Sequence, residues 1–326
     1  MKDTYVLGID VGGTSVKLAV FTEQGKLVEK WSIPTNTDNN GEHVLEDISH
    51  SVKDIWNKKN IELRDVKGAG IGVPGFVDMK RGTIDFAVNI GWKDYPVASV
   101  LSEQLGIPVV VDNDANLAAA GEYWRGAATD AEDVLLLTLG TGVGGGVIVK
   151  GDILHGTSGM AGEIGHVTMV PNGGASCNCG KTGCLETVAS ATGMVRLAEK
   201  AVENHTESML YKKWTGSDDL TAKDIFDCAA EEDETARKVI DTAMSYLGMA
   251  AANAANVLNP EKIVIGGGVS AAGEALLQPL RYYYAKHALP KVERHSTFAI
   301  AKLGNDAGIA GAAWLAKTHA NNADGL

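Results

Sequence analysis

His166, Cys177, Cys179 and Cys184 offer one imidazole and three thiols along a single stretch of chain. One nitrogen and three soft sulfur donors match the count and softness of a closed tetrahedral Zn²⁺ site. A closed site has no open position for substrate, so zinc is expected to be structural and to tie down a loop that lacks regular structure. The Cys-x-Cys spacing departs from the commoner Cys-x₂-Cys, and a buried reduced cysteine cluster or a redox pair are the alternatives. Glu163 lies three residues before His166 and Glu186 two residues after Cys184, so metal ligands would hold both carboxylates rigidly, as discrimination between hydroxyl positions requires. The plainer reading of either glutamate is a solvated surface residue. Cys228 stands apart on an expected helix and reads as core.

A second chemistry lies in the glycines. In Gly8-Ile9-Asp10-Val11-Gly12-Gly13-Thr14-Ser15-Val16-Lys17, an acidic residue at a strand end precedes two glycines, a hydroxyl and a lysine. Glycine lets backbone N–H groups converge on an anion. A strand follows, whereas a Rossmann fingerprint or a Walker A loop opens a helix, so this turn is neither. A plain hairpin turn is the alternative. Leu139-Gly140-Thr141-Gly142-Val143-Gly144-Gly145-Gly146 repeats the arrangement between two apolar runs, and a third cluster, Gly266-Gly267-Gly268, ends another. Two such hairpins would clamp a polyphosphate, and the third would let an adenine lie against the backbone. Asp112-Asn113-Asp114-Ala115-Asn116 joins a buried strand to an alanine-rich helix. Asn113 or Asp114 is there an N-cap by default, at the kind of strand end where open α/β sheets bind ligands.

These residues need a scaffold. Residues 4–11, 16–21 and 27–33 read as a three-strand meander, followed by a helix over 42–59, a strand over 68–73, a helix over 93–105 and a strand over 108–111. Strand Val134–Leu139, a glycine turn over 140–146 and a strand over 147–150 resemble a duplication of the first hairpin. A Gly- and Cys-rich loop over about 155–185, a charged helical stretch over about 187–245 and a small-residue helix over about 243–257 come next. A strand over 262–265 and a helix over 306–317 complete an α/β layer architecture, with its natural break near residues 115–120.

Composition bounds the rest. At roughly 150 residues per domain, 326 residues favour two domains. Glycine is in excess, 39 residues or about 12% against an average of about 7%. The net charge of −12 disfavours a nucleic-acid or anionic-membrane partner, so an anionic ligand must be held locally. No leader pattern or membrane-length apolar run is present, and a cytoplasmic location is expected. Cysteines in such a compartment read as metal ligands before disulfides.

Taken together, the motifs resemble the ROK family of bacterial sugar kinases and repressors, within the actin-like ATPase superfamily. The most specific match is Gly162-Glu163-Ile164-Gly165-His166 followed by Cys177-Asn178-Cys179-Gly180-Lys181-Thr182-Gly183-Cys184-Leu185-Glu186, the family's zinc-loop signature. Val111-Asp112-Asn113-Asp114-Ala115-Asn116 is similar to its catalytic segment, and the zinc loop with its flanks is most similar to the glucose-phosphorylating branch of Gram-positive bacteria. The resemblance spans nearly the whole chain and is weakest over residues 204–240.

The resemblance implies a two-domain actin-like ATPase (ribonuclease H-like) fold with duplicated glycine-turn hairpins and a structural zinc loop. Residues 1–115 would form a small α/β domain to which a helix over about 303–326 returns, and residues 116–302 a large one with the zinc loop and a dimer surface. It also implies phosphoryl transfer from ATP to the 6-hydroxyl of glucose, with Asp114 as general base. Gly75, Asn89, Asn113, Asp114, Glu163, His166 and Glu186 would bind the sugar. Gly12, Gly13, Thr14 and Lys17, with Thr138, Gly140, Thr141 and Gly142, would hold the phosphates, Gly267 and Gly268 would approach the adenosine, and Asp10 would hold Mg²⁺ through water. A homodimer with no nucleic-acid or membrane partner is expected. Fructose, mannose, N-acetylglucosamine or N-acetylmannosamine are alternative substrates, and a sugar-sensing repressor is the alternative from another class; it would need a DNA-binding module ahead of the first strand.

Overall fold

A computed structural model describes residues 3–216 and 219–323. Residues 217–218 of the charged stretch and 324–326 of the expected returning helix lie outside the described residues. The N-terminal apolar runs form β1 (Tyr5–Val11), β2 (Ser15–Thr22) and β3 (Leu27–Pro34), paired antiparallel in sequence order. β4 (Val66–Val73) pairs parallel with β1. A small sheet follows, made of β5 (Phe76–Asp78), β6 (Thr83–Ala87) and β7 (Trp92–Tyr95). β8 (Val109–Asn113) then joins β4 in parallel and completes the order β3-β2-β1-β4-β8.

The second large sheet contains β9 (Val134–Leu139), β10 (Val143–Val149), β11 (Asp152–Ile153), β12 (Lys262–Gly266) and β13 (Thr297–Ile300). Its order, β11-β10-β9-β12-β13, follows the same scheme as the first: a meander on one side and two strands parallel to its first strand on the other. The chain divides into two compact units. One comprises the residues up to Asp130, Gly146–Ala161 and the segment from Lys302 onward; the other comprises Ala131–Gly145 and Gly162–Ala301.

In the first unit, strand alternation decides what each face of the sheet covers. Leu7 and Ile9 of β1 pack with Ile48 and Val52 of helix Val44–Lys59 and Leu101 of helix Val97–Leu105. Val6, Ala19 and Phe21 pack on the other face with Ile309, Ala310 and Ala313 of helix Ala307–Ala323. Gly8 shares that second face, and a Cβ on it would fall 1.9 Å from the Ile309 carbonyl oxygen. Gly70 of β4 stands equally close to the Ala312 carbonyl. Backbone therefore rests on backbone here, nearer than any side chain would permit.

Several elements differ from the sequence reading. Residues 92–95 are strand, and the expected helix over 93–105 starts only at Val97, because Pro96 disfavours helical geometry at the residue before it. The second glycine turn is limited to 140–142, since β10 begins at Val143 and takes in Gly144, Gly145 and Gly146. A Cβ on Gly145 would meet the Gly162 carbonyl oxygen at 2.2 Å, so that glycine serves packing within the second unit. The charged stretch resolves into helices Glu186–Ala189, Ala191–Val202, Met209–Gly216 and Ala222–Ala230, and the small-residue helix is the end of the longer helix Glu234–Leu258. Cys228 is buried on its helix. No helix among the described residues is long and apolar enough to cross a membrane.

Gly8→Ala places a methyl group against the Ile309 carbonyl and is expected to destabilise the fold by about 3 kcal/mol. Thermal unfolding should show a melting temperature several degrees lower, and an unchanged melting temperature would contradict the close approach.

Candidate active site

In the first unit the site residues gather where β8 becomes helix Asp114–Arg125. The Asn113 side chain caps that helix, its oxygen accepting from the N–H groups of Ala115 at 2.8 Å and Asn116 at 3.4 Å. Its Nδ2 donates to the Gly75 carbonyl at 3.1 Å. Asn113 is thus the N-cap, and Asp114 is the first helical residue, exposed, with Oδ1 accepting from Ala115 N–H at 3.0 Å. A carboxylate there also benefits from the positive end of the helix dipole. Asp112, one residue before the cap, is buried and accepts from His155 Nε2 at 2.7 Å. The sequence reading missed this histidine; its only signal was a His-Gly pair soon after an expected strand.

The first glycine turn joins β1 to β2 through Gly12, Gly13 and Thr14. Thr35 orients it: its hydroxyl donates to the Gly12 carbonyl at 2.7 Å and its N–H to the Thr14 carbonyl at 3.0 Å. Asp10 on β1 faces Lys17 on β2 in register. Burial pushes the Asp10 carboxyl above the usual range, and the Lys17 charge opposes that shift. Lys17 Nζ donates to the Asn305 carbonyl at 3.2 Å. Gly75, with φ at +151°, lies against Phe86, and Asn89 approaches the turn, where a Cβ on Gly13 would be 3.6 Å from the Asn89 Cβ. Gly75, Asn89, Asn113 and the first turn are therefore parts of one unit.

The second unit holds the cysteine cluster. One ligand atom from each of His166, Cys177, Cys179 and Cys184 lies within 4.8 Å of all the others. Tetrahedral Zn²⁺ with metal–sulfur bonds near 2.3 Å and metal–nitrogen bonds near 2.0–2.1 Å separates its ligands by roughly 3.8 Å (S to S) and roughly 3.5 Å (S to N). The Cys179–Cys184 sulfurs are 3.6 Å apart, and Cys177 Sγ is 3.5 Å from His166 Nδ1. Those edges fit zinc. Nδ1 is the ring nitrogen that faces the sulfurs, while Nε2 lies 3.8 Å from a Glu163 oxygen. Glu186 Oε1 accepts from the Cys177 thiol at 2.9 Å. Burial pushes the Cys177 thiol up and the bond to Glu186 adds to it, whereas the Lys181 N–H lowers Cys179. The loop closes tightly on itself, since a Cβ on Gly183 would be 1.9 Å from the Val170 carbonyl oxygen. Glu163 and Glu186 both lie beside His166, 3.8 Å and 3.9 Å from its ring nitrogens.

The second turn lies in the same unit. Thr138 precedes it on β9, and Gly140 N–H donates to the Gly142 carbonyl at 3.0 Å. A Cβ on Gly142 would meet Glu186 Oε2 at 2.6 Å, which places the turn beside the carboxylate that flanks the cysteines. Gly267, at φ +79°, packs on the Leu139 backbone, and nothing lies within 4 Å of a Cβ on Gly140 or Gly268. A cavity of about 470 Å³ brings Gly140, Thr141 and Gly268 together with Thr221, Lys223, Phe226 and Asp227. Those last four lie in the charged stretch to which the sequence reading gave no function.

A profile of the ROK family matches residues 6–319. A glucokinase of Halalkalibacterium halodurans is 51% identical over 99% of this chain and 98% of its own. Among solved structures, a ROK hexokinase from Thermus thermophilus is 32% identical with a TM-score of 0.82, over 98% of this chain and 100% of its own. A ROK family glucokinase from Streptomyces griseus, in complex with glucose and AMPPNP, is 34% identical with a TM-score of 0.77, over 96% and 99% respectively. A match that runs from β1 into the last helix, together with 51% identity over nearly the whole chain, establishes that the chain belongs to the ROK family.

Proposed function

We propose that this chain is a glucokinase, transferring the γ-phosphoryl group of ATP to the 6-hydroxyl of glucose. The observation that carries the reading is the near full-length likeness to glucokinases, in a chain that has the Asp112–Asp114 turn and the His166 cysteine loop. The repeated strand order supports a two-domain actin-like ATPase fold, ribonuclease H-like, with duplicated hairpins. A homodimer in the cytoplasm is part of the same reading.

Asp114 is the general base. Its exposed carboxylate takes the proton of the 6-hydroxyl as that oxygen bonds to the γ-phosphorus, while the bond to the ADP oxygen breaks and its electron pair leaves with ADP. A loose transition state asks for positioning and charge neutralisation more than for a strong base. Backbone N–H groups of Gly12, Gly13 and Thr14, with Lys17, and of Gly140, Thr141 and Gly142, with the Thr138 hydroxyl, hold the phosphates. Gly267 and Gly268 let the adenosine approach, in keeping with the cavity that Gly268 lines. Gly75, Asn89, Asn113, Glu163, His166 and Glu186 read the sugar hydroxyls. Burial disfavours the Asp10 carboxylate's charge, and Mg²⁺ carried by ATP would favour it, so Asp10 is the residue to hold that ion through water. Mg²⁺ there would neutralise phosphate charge, and His166, Cys177, Cys179 and Cys184 would hold zinc that stiffens the loop carrying Glu163 and ending at Glu186. With Nδ1 turned to the Cys177 sulfur, His166 keeps Nε2 for a sugar hydroxyl.

A coupled assay of ADP release across glucose, fructose, mannose, N-acetylglucosamine and N-acetylmannosamine, with ATP and with polyphosphate as donor, tests the assignment. Glucose with ATP should give the highest kcat/KM, and a higher value for another hexose would overturn the choice of sugar. Asp114→Asn should keep glucose affinity within about threefold and lose at least about a hundredfold in kcat; near-normal turnover would remove Asp114 as base. Elemental analysis should find one zinc per chain, reduced in Cys177→Ser along with sugar affinity. Because the thiols bind metal as thiolates, acid should release the zinc. A metal-free protein with full activity would refute the zinc loop.

A further inference from the structure

We propose that Asp112 and His155 form a positioning pair that fixes the turn presenting Asp114, so that His155 serves phosphoryl transfer without touching substrate. The proposal rests on the reading of Asp114 as base.

Asp112 is 1% exposed, and it stands in the last pair but one of the β4–β8 ladder, in register with Gly72. A carboxylate withdrawn from water at this depth must be met by donors. Three meet it. Oδ1 accepts from the Asn113 N–H at 2.7 Å and from Asn116 Nδ2 at 3.0 Å; Oδ2 accepts from His155 Nε2 at 2.7 Å. The first two donors belong to the turn itself and bracket Asp114 in sequence. The third comes from a loop 43 residues further on. A carboxylate only accepts, so the imidazole carries its proton on Nε2.

The loop that supplies the histidine is anchored at both ends. Leu154 N–H donates to the Val147 carbonyl at 2.8 Å, and Ala161 N–H returns to the His155 carbonyl at 3.1 Å. Gly156 and Gly159, at φ +70° and +78°, turn the chain between them, and a Cβ on Gly159 would be 3.2 Å from the Val77 carbonyl oxygen. Because its backbone is held, the imidazole reaches Asp112 from a fixed origin. Its bond sets the rotation of the Asp112 carboxylate, whose other oxygen sets the Asn113 peptide and the Asn116 amide. Asn113 in turn holds Gly75. Rotation of that carboxylate would move the cap and the first helical residue, Asp114, and a misplacement of about 1 Å can cost about a hundredfold in rate.

Two near-isosteric substitutions separate positioning from bulk. The amide nitrogen of Gln reaches the place of Nε2, whereas that of Asn lies at the place of Nδ1 and misses Asp112. His155→Gln should keep kcat within about threefold of the parent, and His155→Asn should lose about tenfold or more in kcat with the ATP KM unchanged within about twofold. Melting temperatures and zinc content are measured alongside. Equal kcat in the two variants would overturn the proposal, as would a loss that raises the ATP KM as much as it lowers kcat or that follows the melting temperature. Failure of the general-base reading is a different result: Asp114→Asn would then turn over normally, whereas failure of the pair alone leaves Asp114→Asn inactive and the two His155 variants alike.

Discussion

The contact between the backbone of helix Ala307–Ala323 and the backbones of β1 and β4 is the constraint on which the first unit depends. Gly8 and Gly70 let the Ile309 and Ala312 carbonyls rest where side chains would otherwise stand. That approach brings Gly308 against the Asp10 carboxylate, within 2.8 Å of where a Cβ would sit. The same contact that builds the hydrophobic layer therefore sets the place of a charged group at the end of β1. Such packing tolerates no added methylene, and interiors of this density transmit displacement instead of absorbing it. The strand ends can then carry loops whose polar groups keep fixed positions.

Each candidate site group is held by a different kind of support. Asp114 depends on a buried carboxylate and a helix cap, the first turn on hydrogen bonds from Thr35, and Glu163 and Glu186 on a loop that the cysteines close. The cysteine loop is the least self-sufficient of these. Its β-pairing amounts to isolated bridges, Thr168 with Cys184 and Ser176 with Thr182, so metal ligation would contribute order that regular structure does not supply. The acidic balance of the chain is consistent with this design, since an anionic nucleotide would be held by backbone N–H groups and a lysine without help from overall charge.

What could be read from residue types was short-range chemistry. Three thiols and an imidazole in one stretch, the Asn113 cap, and the apolar strands of the first meander and of β9 follow from local composition and period, and the structure contains each of them. Long-range contact is what local pattern hides. Gly144–Gly146 look like a turn and are strand, because the reason for a glycine such as Gly145 is a carbonyl at Gly162, beyond the hairpin. The strands β5 to β7 are short and carry exposed Phe76 and Phe86, so they lack the alternation that marks a half-buried strand. His155 is invisible for the same reason as Gly145: its partner, Asp112, is distant in sequence and near only in the fold.

The proposed role of Asp114, taking the proton of a sugar hydroxyl, is tested most directly by a crystal structure with glucose and a non-transferable ATP analogue. The sugar 6-oxygen should lie within about 2.6–3.2 Å of an Asp114 carboxylate oxygen, on the side facing the γ-phosphorus. A bound glucose whose 6-hydroxyl meets another base, or no base, would contradict it.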